Sequence, residues 1–383
     1  MSGLRQNFSI SEAVRRAADF FLVLSFFYIS FRATRDYRSG GNSWKQGDWL
    51  INNAGGEVRR GHIGSAIIYI SDILNLELLF VVVSLQIMLL LTLFVTFRKL
   101  MISIGNPMIS SVLLISPAIF TVFWLADPQG SMRKELIAFV GLSLCALATT
   151  RDSRLLFWCG VVLLCIGFLS HEAMVLFTPL FLGVVFLSRT LEIDSKHLIS
   201  ACAVVLSCAT YVTYFAITNS QALNVNLVCS PLLERGLDEA ICDGAIRAVA
   251  HERTFSILVI TNRHFLPSLG GFLVAYTIAL APFVYLIMSS QRPAGGLILL
   301  IVTGLPFVPL YFIAADWGRW VSFHIFSLAI LAACLMIHRN LKIDRNLSSM
   351  NVFLLIVISL LISPDHVIGI HWGGALRGLS SYF

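Results

Sequence analysis

Residues 74–97, LNLELLFVVVSLQIMLLLTLFVTF, decide the fold class of this chain. A helix that crosses a bilayer needs about 20 predominantly apolar residues, because lipid offers no hydrogen-bond partner to an exposed backbone. This stretch meets that requirement. The whole chain has the same character, since 57% of its 383 residues are hydrophobic and only 13% are charged, whereas soluble domains have about 25% charged residues. The sequence therefore predicts an all-α polytopic membrane protein.

Similar apolar runs predict about 11 transmembrane helices in a single integral membrane domain that covers residues 1–383. Two longer polar segments, about 35–73 and 219–264, join spans on one side, and apolar spacing over 63–73 predicts an interfacial helix. Arg15 and Arg16 lie at the start of the first run and no small-residue cleavage site follows it, so that run is expected to stay as an anchor. The predicted spans are 14–34, 74–97, 108–126, 136–150, 155–170, 173–188, 198–218, 265–288, 295–314, 320–338 and 350–364.

Basic residues in the short loops predict the orientation, because Lys and Arg accumulate on the cytoplasmic side. A cytoplasmic N-terminus leaves plainly basic junctions on that side, such as Arg98-Lys99, Arg151 and Arg292. The opposite side then receives motifs in which acidic and basic residues are mixed. Basic residues kept there against the general rule indicate an anionic ligand, and an inverted topology is the alternative. These motifs are 36–62, 127–135, 171–172 and 316–319.

The first motif is the richest in ionisable residues. Glycines flank Glu57, Arg59 and Arg60, so the backbone can approach a ligand closely, and arginine binds phosphate oxygens through paired hydrogen bonds. Asp36, Asp48 and Glu57 are candidate general bases for a sugar hydroxyl. The alternative is a solvated loop whose carboxylates pair with neighbouring arginines.

The second motif opens the fourth predicted span with Arg133, Lys134 and Glu135. Ionisable residues entering an apolar helix are costly unless they face a cavity or one another. An anion at this helix N-terminus would balance the two basic side chains. Neutralisation by Asp127 and Glu135 at the surface is the alternative.

Two shorter motifs stand between spans. His171 and Glu172 can act as general acid and base, but no second histidine follows at metal-ligand spacing, so no zinc site is predicted. Asp316 and Arg319 flank Trp317 and are candidate substrate ligands. The alternatives are a polar turn at the membrane surface and an interfacial anchor.

The second polar segment contains Cys229 and Cys242, and an oxidising compartment would permit a disulfide between them. A helix is predicted over residues 231–251, and Arg263 and His264 are further candidates for holding a polyanion. The C-terminal histidines, His366 and His371, receive no role.

The segment from Arg133 to Pro179 resembles the core of the EpsG and Wzy-like polysaccharide polymerases. The resemblance rests on the helix start Arg133-Lys134-Glu135-Leu136-Ile137-Ala138 and on Ser170-His171-Glu172-Ala173 before the next span. The polar first loop is similar to that of the broader GT-C class of membrane glycosyltransferases, in which an acidic residue serves as base. The segment Gly55–Gly61 is not part of the polymerase pattern.

These resemblances imply an enzyme of the bacterial inner membrane that polymerises polyprenyl diphosphate-linked repeat units of a surface polysaccharide, such as O-antigen, capsule or exopolysaccharide, on the extracytoplasmic face. No cofactor or metal ligand is assigned, and a need for divalent metal is left open. The expected partners are the bilayer, the lipid-linked glycan and assembly proteins such as a chain-length regulator, with no nucleic acid. The catalytic candidates are Asp48, Glu57, His171 and Glu172, and the binding candidates are Arg59, Arg60, Arg133, Lys134, Asp316 and Arg319.

Two alternatives use the same features. A GT-C transferase with a polyprenyl phosphate sugar donor would need a site for a single phosphate. A non-enzymatic transporter or flippase of lipid-linked glycans would place charges near the bilayer midplane and often show repeated halves. In this sequence the charges stand at span ends and no internal repeat is found. No glycine-rich phosphate loop follows a predicted strand, as expected for a donor delivered by lipid.

Overall fold

A computed structural model describes residues 2–188, 194–218, 224–249, 265–338, 341–343 and 347–380. The described chain is predominantly helical, and its two strands, β1 (Ile362–Pro364) and β2 (Ile370–Trp372), form one antiparallel hairpin. Arg263 and His264 lie outside the described residues. The helices are α1 (Ser2–Arg38), α2 (Gln46–Trp49), α3 (Gly61–Leu74), α4 (Leu78–Ile102), α5 (Pro107–Leu114), α6 (Phe120–Ala126), α7 (Glu135–Arg151), α8 (Arg154–Ser170), α9 (Thr178–Ser188), α10 (Ser195–Thr218), α11 (Val225–Leu233), α12 (Phe265–Met288), α13 (Pro293–Gly304), α14 (Leu310–Ile313), α15 (Trp317–Ile337), α16 (Ser349–Leu361) and α17 (Gly374–Ser380).

Six helical segments of the described chain are long and apolar enough to cross a membrane. Several expose rows of large apolar side chains, such as Phe20, Phe27 and Phe31 on α1 and Ile298 and Ile301 on α13. Rows of this kind are unfavourable in water and suit a lipid surface. The architecture is that of a multi-pass membrane protein. The six segments are Ser11–Arg38, Leu78–Ile102, Ser195–Thr218, Leu266–Met288, Pro293–Ile313 and Trp317–Ile337.

The predicted 11 spans are not confirmed. The run 108–126 is divided into α5 and α6, and the runs 136–150 and 155–170 form helices of only 17 residues, α7 and α8. The run 173–188 begins as a 3-10 turn before α9, and α16 gives way to β1 after 13 residues. Hydropathy alone does not distinguish a helix covered by protein from a helix covered by lipid, because both are apolar on all sides. Helix α7, for example, is buried from Glu135 to Thr149.

The described chain divides into two compact units, each assembled from distant parts of the sequence. The first unit takes its described residues from 1–29, 97–131 and 259–383, and the second takes them from 30–96 and 132–258. Helices α1 and α4 contribute residues to both units. That the chain forms a single membrane domain stays a prediction.

The second unit contains the closely apposed helices α7 and α8. A Cβ atom at Gly141 would lie 2.6 Å from the Leu164 backbone nitrogen, and one at Gly160 would lie 2.6 Å from Cys145 Sγ. Small residues at such contacts let helix backbones approach closely in membranes. Asp152, at φ +47°, ends α7, and the Ser153 side chain caps the start of α8. The ends of these two helices carry most of the residues of the candidate site.

The helix predicted over residues 63–73 is confirmed as α3. Its small residues Gly61, Gly64 and Ser71 are buried, whereas Ile73 and Leu74 are exposed. Gly64 meets the backbone of Ile51, where any side chain would clash. The glycine side of α3 therefore packs against the loop that precedes it. That α3 lies at the membrane interface stays a prediction.

The helix predicted over residues 231–251 is wrong. Helix α11 ends at Leu233, a 3-10 turn follows at Glu239–Cys242, and residues 245–249 form a separate helical stretch. The cause is Gly236, whose φ of +80° ends α11 in the way common for helix C-termini.

In the first unit, the C-terminal segment folds back onto the end of α6. His371 on β2 pairs with Ser363 on β1, and α17 lies against α6, where Gly378 meets the backbone of Leu125. Gly318, at the start of α15, donates its N–H to the Val367 carbonyl at 3.0 Å. These contacts place the hairpin beside the C-terminal end of α6.

Candidate functional site

Seven of the predicted site residues converge in the second unit. They come from the loop before α3, the start of α7 and the turn after α8, and Arg60 and Glu172 are 112 residues apart in sequence. The fold rather than local spacing therefore brings them together. We call this group the cationic cluster, and it consists of Asp48, Arg59, Arg60, Arg133, Lys134, His171 and Glu172.

A strained residue positions the basic pair at the start of α7. Met132 has a φ of +59°, which is uncommon for a residue with a side chain. Its carbonyl oxygen accepts hydrogen bonds from Trp49 Nε1 at 2.8 Å and from Gln86 Nε2 at 2.7 Å. The buried donors on Trp49 and Gln86 thus hold the Met132 backbone in this conformation. The conformation sets the direction in which the chain continues into Arg133 and Lys134. Local strain held by surrounding structure is common at functional sites.

Arg60 and Glu172 form the central ion pair of the cluster. The guanidinium donates Nε to Glu172 Oε2 at 2.9 Å and Nη2 to Oε1 at 2.7 Å, and Arg59 Nη1 lies 3.6 Å from Oε1. Burial would raise the pKa of Glu172, but the charges of Arg60, His171 and Arg59 outweigh burial and hold its pKa well below its usual range. Glu172 is therefore ionised and serves to orient the two arginines.

Lys134 and Asp48 lie in the buried part of the cluster. As whole residues they are 0% and 3% exposed. Lys134 donates Nζ to the Arg60 carbonyl at 2.8 Å and its backbone N–H to Asp48 Oδ2 at 3.2 Å. Burial lowers the pKa of Lys134 to about 8, although Asp48 favours the charged amine. Burial would raise the pKa of Asp48, but Lys134, His171 and Arg133 leave it lowered.

His171 begins the turn that carries Glu172. Its Nδ1 accepts the Ala173 backbone N–H at 3.2 Å and lies 3.7 Å from Glu172 Oε2. The imidazole is buried.

Aromatic and ionic contacts flank the cluster. The Arg133 guanidinium lies over the Trp44 ring at 5.5 Å from its centroid, a cation–π geometry. Lys45, next in sequence, forms an ion pair with Asp36 at the end of α1. The Asp36 carboxylate is therefore paired with the Lys45 amine.

Three of the predicted site residues stand apart from these contacts. Glu57 is exposed, and none of the described contacts of the cationic cluster involves it. Asp316 and Arg319 belong to the first unit, where their side chains pair at 2.5 Å and Arg319 lies over the Trp320 ring. This ion pair links the two side chains across the first turn of α15.

A disulfide joins Cys229 and Cys242, the pair for which the sequence left bonding open, and its segment lies against the loop that carries Asp48. The Val228 carbonyl accepts a hydrogen bond from Asn52 Nδ2 at 2.8 Å, and the Ala245 N–H donates to Ser43 O at 2.9 Å. The disulfide and the cationic cluster therefore lie at the same end of the second unit.

The first unit contains a second polar group, which the sequence did not indicate. Asp127 Oδ2 lies 2.5 Å from His366 Nδ1 and 3.1 Å from His371 Nε2, and Asp365 Oδ1 lies 3.1 Å from His366 Nδ1. We call these four residues the Asp–His cluster. In the alternative interpretation Asp127 would neutralise Arg133 and Lys134, but it pairs with the C-terminal histidines instead. The signal that could have found it is the grouping Asp365-His366 and His371 beyond the last apolar run.

Mutual pairing shifts the pKa values in the Asp–His cluster. Burial would lower the pKa of His366, but hydrogen bonds to Asp127 and Asp365 raise it to about 9. Burial would raise the pKa of Asp127, but the two histidines hold it well below its usual range. The group therefore holds charged carboxylate and imidazolium forms close together.

The cationic cluster has the chemistry of an anion site. Its four basic side chains outnumber its two carboxylates, and arginine and lysine supply the donors that phosphate oxygens accept. The Asp48 carboxylate stands beside them as a proton acceptor.

No protein-family model, no curated protein and no solved structure matches this chain.

Proposed function

We propose that this chain is a membrane glycosyltransferase that polymerises polyprenyl diphosphate-linked oligosaccharide repeat units of a surface polysaccharide. The observation that supports the proposal most is the convergence of Arg60, Lys134 and Glu172 in one buried group. The two motifs that resemble the polysaccharide polymerases, at residues 133–138 and 170–173, meet there.

The basic residues would bind the diphosphate of the lipid-linked donor. Arg59 and Arg60 are held side by side by Glu172, so their guanidinium groups are preorganised before a ligand enters. Cations fixed in advance stabilise the negative charge that develops on a leaving diphosphate, and in a water-poor site they do so more strongly than in solution. Lys134 adds a third charge from the start of α7.

Asp48 is the proposed general base. Among the described residues, its carboxylate accepts one hydrogen bond, from the Lys134 backbone to Oδ2, and this leaves Oδ1 for an acceptor hydroxyl. In the reaction, the hydroxyl oxygen attacks the anomeric carbon, its proton passes to Asp48, and the bond to the diphosphate breaks with its electron pair on the leaving oxygen. The lowered pKa of Asp48 keeps the carboxylate in the accepting form at neutral pH.

The disulfide supports an extracytoplasmic position for this site. Disulfides persist in oxidising compartments and are rare in the bacterial cytosol, and Cys229–Cys242 lies at the same end of the second unit as the cationic cluster. Helix α1 can cross the bilayer and ends at Arg38, shortly before the loop of Asp48. The N-terminus would then be cytoplasmic, at the bacterial inner membrane. Labelling of single cysteines at Ser2 and Glu57 by a membrane-impermeant maleimide tests this, with only the second expected to react in intact spheroplasts.

The activity is tested with purified protein in nanodiscs and a polyprenyl diphosphate-linked repeat unit. We expect a ladder of products with the wild type, its loss with Asp48→Asn and with Arg60→Ala, and little change with Glu57→Gln. The matched control is Asp72→Asn, because Asp72 pairs with Arg235 at 2.7 and 2.9 Å in the same unit but is exposed. A polyprenyl phosphate donor extended by single sugars would identify the GT-C alternative instead, and translocation of the lipid without any new glycosidic bond would contradict the enzyme.

A further inference from the structure

The Asp–His cluster brings together the donor atoms of a metal site. One donor atom each from Asp127, Asp365 and His371 lies within 4.8 Å of the others, and His371 Nε2 is 3.1 Å from Asp127 Oδ2 and 3.8 Å from Asp365 Oδ2. Ligands bound to one zinc ion at about 2.0–2.1 Å in tetrahedral geometry are separated by about 3.4 Å. The observed separations bracket that value, so small side-chain rotations would suffice.

The three donors are held by separate elements of the first unit. Asp127 ends α6, and its Oδ1 accepts the Gln129 N–H at 3.1 Å. His371 lies on β2, in register with Ser363. Asp365 lies in the hairpin loop, which the Gly318 N–H fixes through Val367. Donors supplied by a helix end, a strand and a braced loop give a preorganised arrangement, which metal affinity requires.

His366 supplies a supporting contact. Its backbone N–H donates to Asp127 Oδ2 at 2.7 Å, and its Nδ1 lies 2.5 Å from the same oxygen. A group that hydrogen-bonds to a liganding carboxylate orients it, and loss of such a contact commonly costs 10- to 100-fold in metal affinity. His366 is therefore a positioning residue in this arrangement.

We propose that Asp127, Asp365 and His371 bind a divalent transition-metal ion, with Zn²⁺ favoured, which clamps the C-terminal hairpin to the end of α6. The imidazole ligand favours Zn²⁺ over Mg²⁺ and Ca²⁺, which prefer sites made wholly of oxygen. Three protein ligands leave a position for water or for a substrate oxygen. This inference does not depend on the proposed glycosyl transfer, since none of its residues belongs to the cationic cluster.

The test uses the full-length protein, purified in nanodiscs with a tag that lacks histidine and stripped with EDTA. Titration calorimetry with ZnCl₂, MnCl₂, MgCl₂ and CaCl₂, with metal content measured by mass spectrometry, gives affinity and stoichiometry. We expect one equivalent of zinc, loss of at least about 100-fold in affinity with His371→Gln or Asp127→Asn, and about 10- to 100-fold with His366→Gln. The control His338→Gln removes another histidine of the first unit and is expected to bind zinc as the wild type does.

Results of two kinds in the binding assay would overturn the site. One is the lack of saturable zinc or manganese binding by the wild type, which would make the cluster an ion-pair network only. The other is binding that His371→Gln leaves unchanged, or that is as tight for Mg²⁺ as for Zn²⁺. Because a variant can fail to fold, X-ray absorption of the zinc-loaded wild type provides an independent readout, and a spectrum without imidazole scattering would place the metal elsewhere.

Discussion

The cationic cluster and the Asp–His cluster are both partly buried polar groups at helix ends, yet their compositions are opposite. In the first, Arg59, Arg60, Arg133 and Lys134 outnumber two carboxylates. In the second, two carboxylates meet two imidazoles around Asp127. Both hold their charges by pairing, because a lone charge away from water is very costly.

The difference in composition determines which groups of each cluster are available to a ligand after the charges have paired. An excess of guanidinium and ammonium groups attracts an anion, whereas carboxylates and imidazoles offer lone pairs to a cation once the imidazoles lose their protons. The two units of this chain therefore present two kinds of binding chemistry.

Breaking the Arg60–Glu172 pair is expected to have the largest effect. The two side chains are 13% and 19% exposed, so Arg60→Ala leaves a largely buried carboxylate with only the longer 3.6 Å contact to Arg59. The expected cost in stability is up to about 3–5 kcal/mol, and the polymer ladder should be abolished. The double variant Arg60→Met/Glu172→Leu should recover most of the stability, because both charges are removed, but no activity. Thermal unfolding and ladder assays distinguish the two. Recovery of the ladder in the double variant would contradict a role in binding.

Removing the disulfide should affect one cluster and spare the other. Cys229 and Cys242 close a loop of 13 residues, and the loop-entropy model gives about 3 kcal/mol for a loop of that size. Cys229→Ser/Cys242→Ser should therefore lower the thermal stability of the protein and weaken binding of the lipid diphosphate. Zinc affinity should not change, because the residues of the Asp–His cluster belong to the other unit. Equal losses at both sites would contradict this separation.

A glycine exchange tests the scaffold beneath the cationic cluster. The Cβ of Gly141→Ala would meet the Leu164 backbone at 2.6 Å, and such overpacking costs about 1–3 kcal/mol. The matched control is Gly295→Ala in α13, where nothing lies within 4 Å of the added Cβ and the higher helix propensity of alanine should stabilise by up to about 1 kcal/mol. Opposite shifts of the melting temperature are expected. A neutral Gly141→Ala would show that α7 and α8 do not need this close approach.

The smallest effect is a pH dependence of anion binding. Lys134 has a pKa of about 8, so its charge is present below pH 8 and is lost as pH rises through that value. Affinity for the lipid diphosphate should fall by up to about tenfold between pH 7 and pH 9. Lys134→Arg keeps its charge at these pH values and should flatten the profile. A wild-type affinity that stays constant over this range would exclude Lys134 from the binding site.

The sequence predicted the helical membrane class and most of the cationic cluster, because apolar runs show where spans end and charged residues at those ends are conspicuous. The number of spans that it predicted is not confirmed, since the buried helix α7 has the same composition as a helix in lipid. The sequence could not foresee that Asp48 and Glu172 join the same cluster while Glu57 is exposed. Asp48 and Glu57 precede α3 in the same segment, but only the packing of α3 against that segment at Gly64 decides which of the two side chains is buried. The Asp–His cluster was missed for a similar reason: Asp127 and His366 are 239 residues apart, and only the return of the C-terminal hairpin joins them.

The most direct test of the cationic cluster is the affinity of the protein in nanodiscs for a short-chain polyprenyl diphosphate, with the corresponding polyprenol as the uncharged reference. Hydrogen bonds to charged groups contribute about 1.5–3 kcal/mol each. We therefore expect Lys134→Ala and Arg60→Ala to weaken diphosphate binding at least tenfold, while Arg235→Ala leaves it unchanged and none of the variants alters polyprenol binding. Equal affinity of the wild type and Lys134→Ala for the diphosphate would contradict the account.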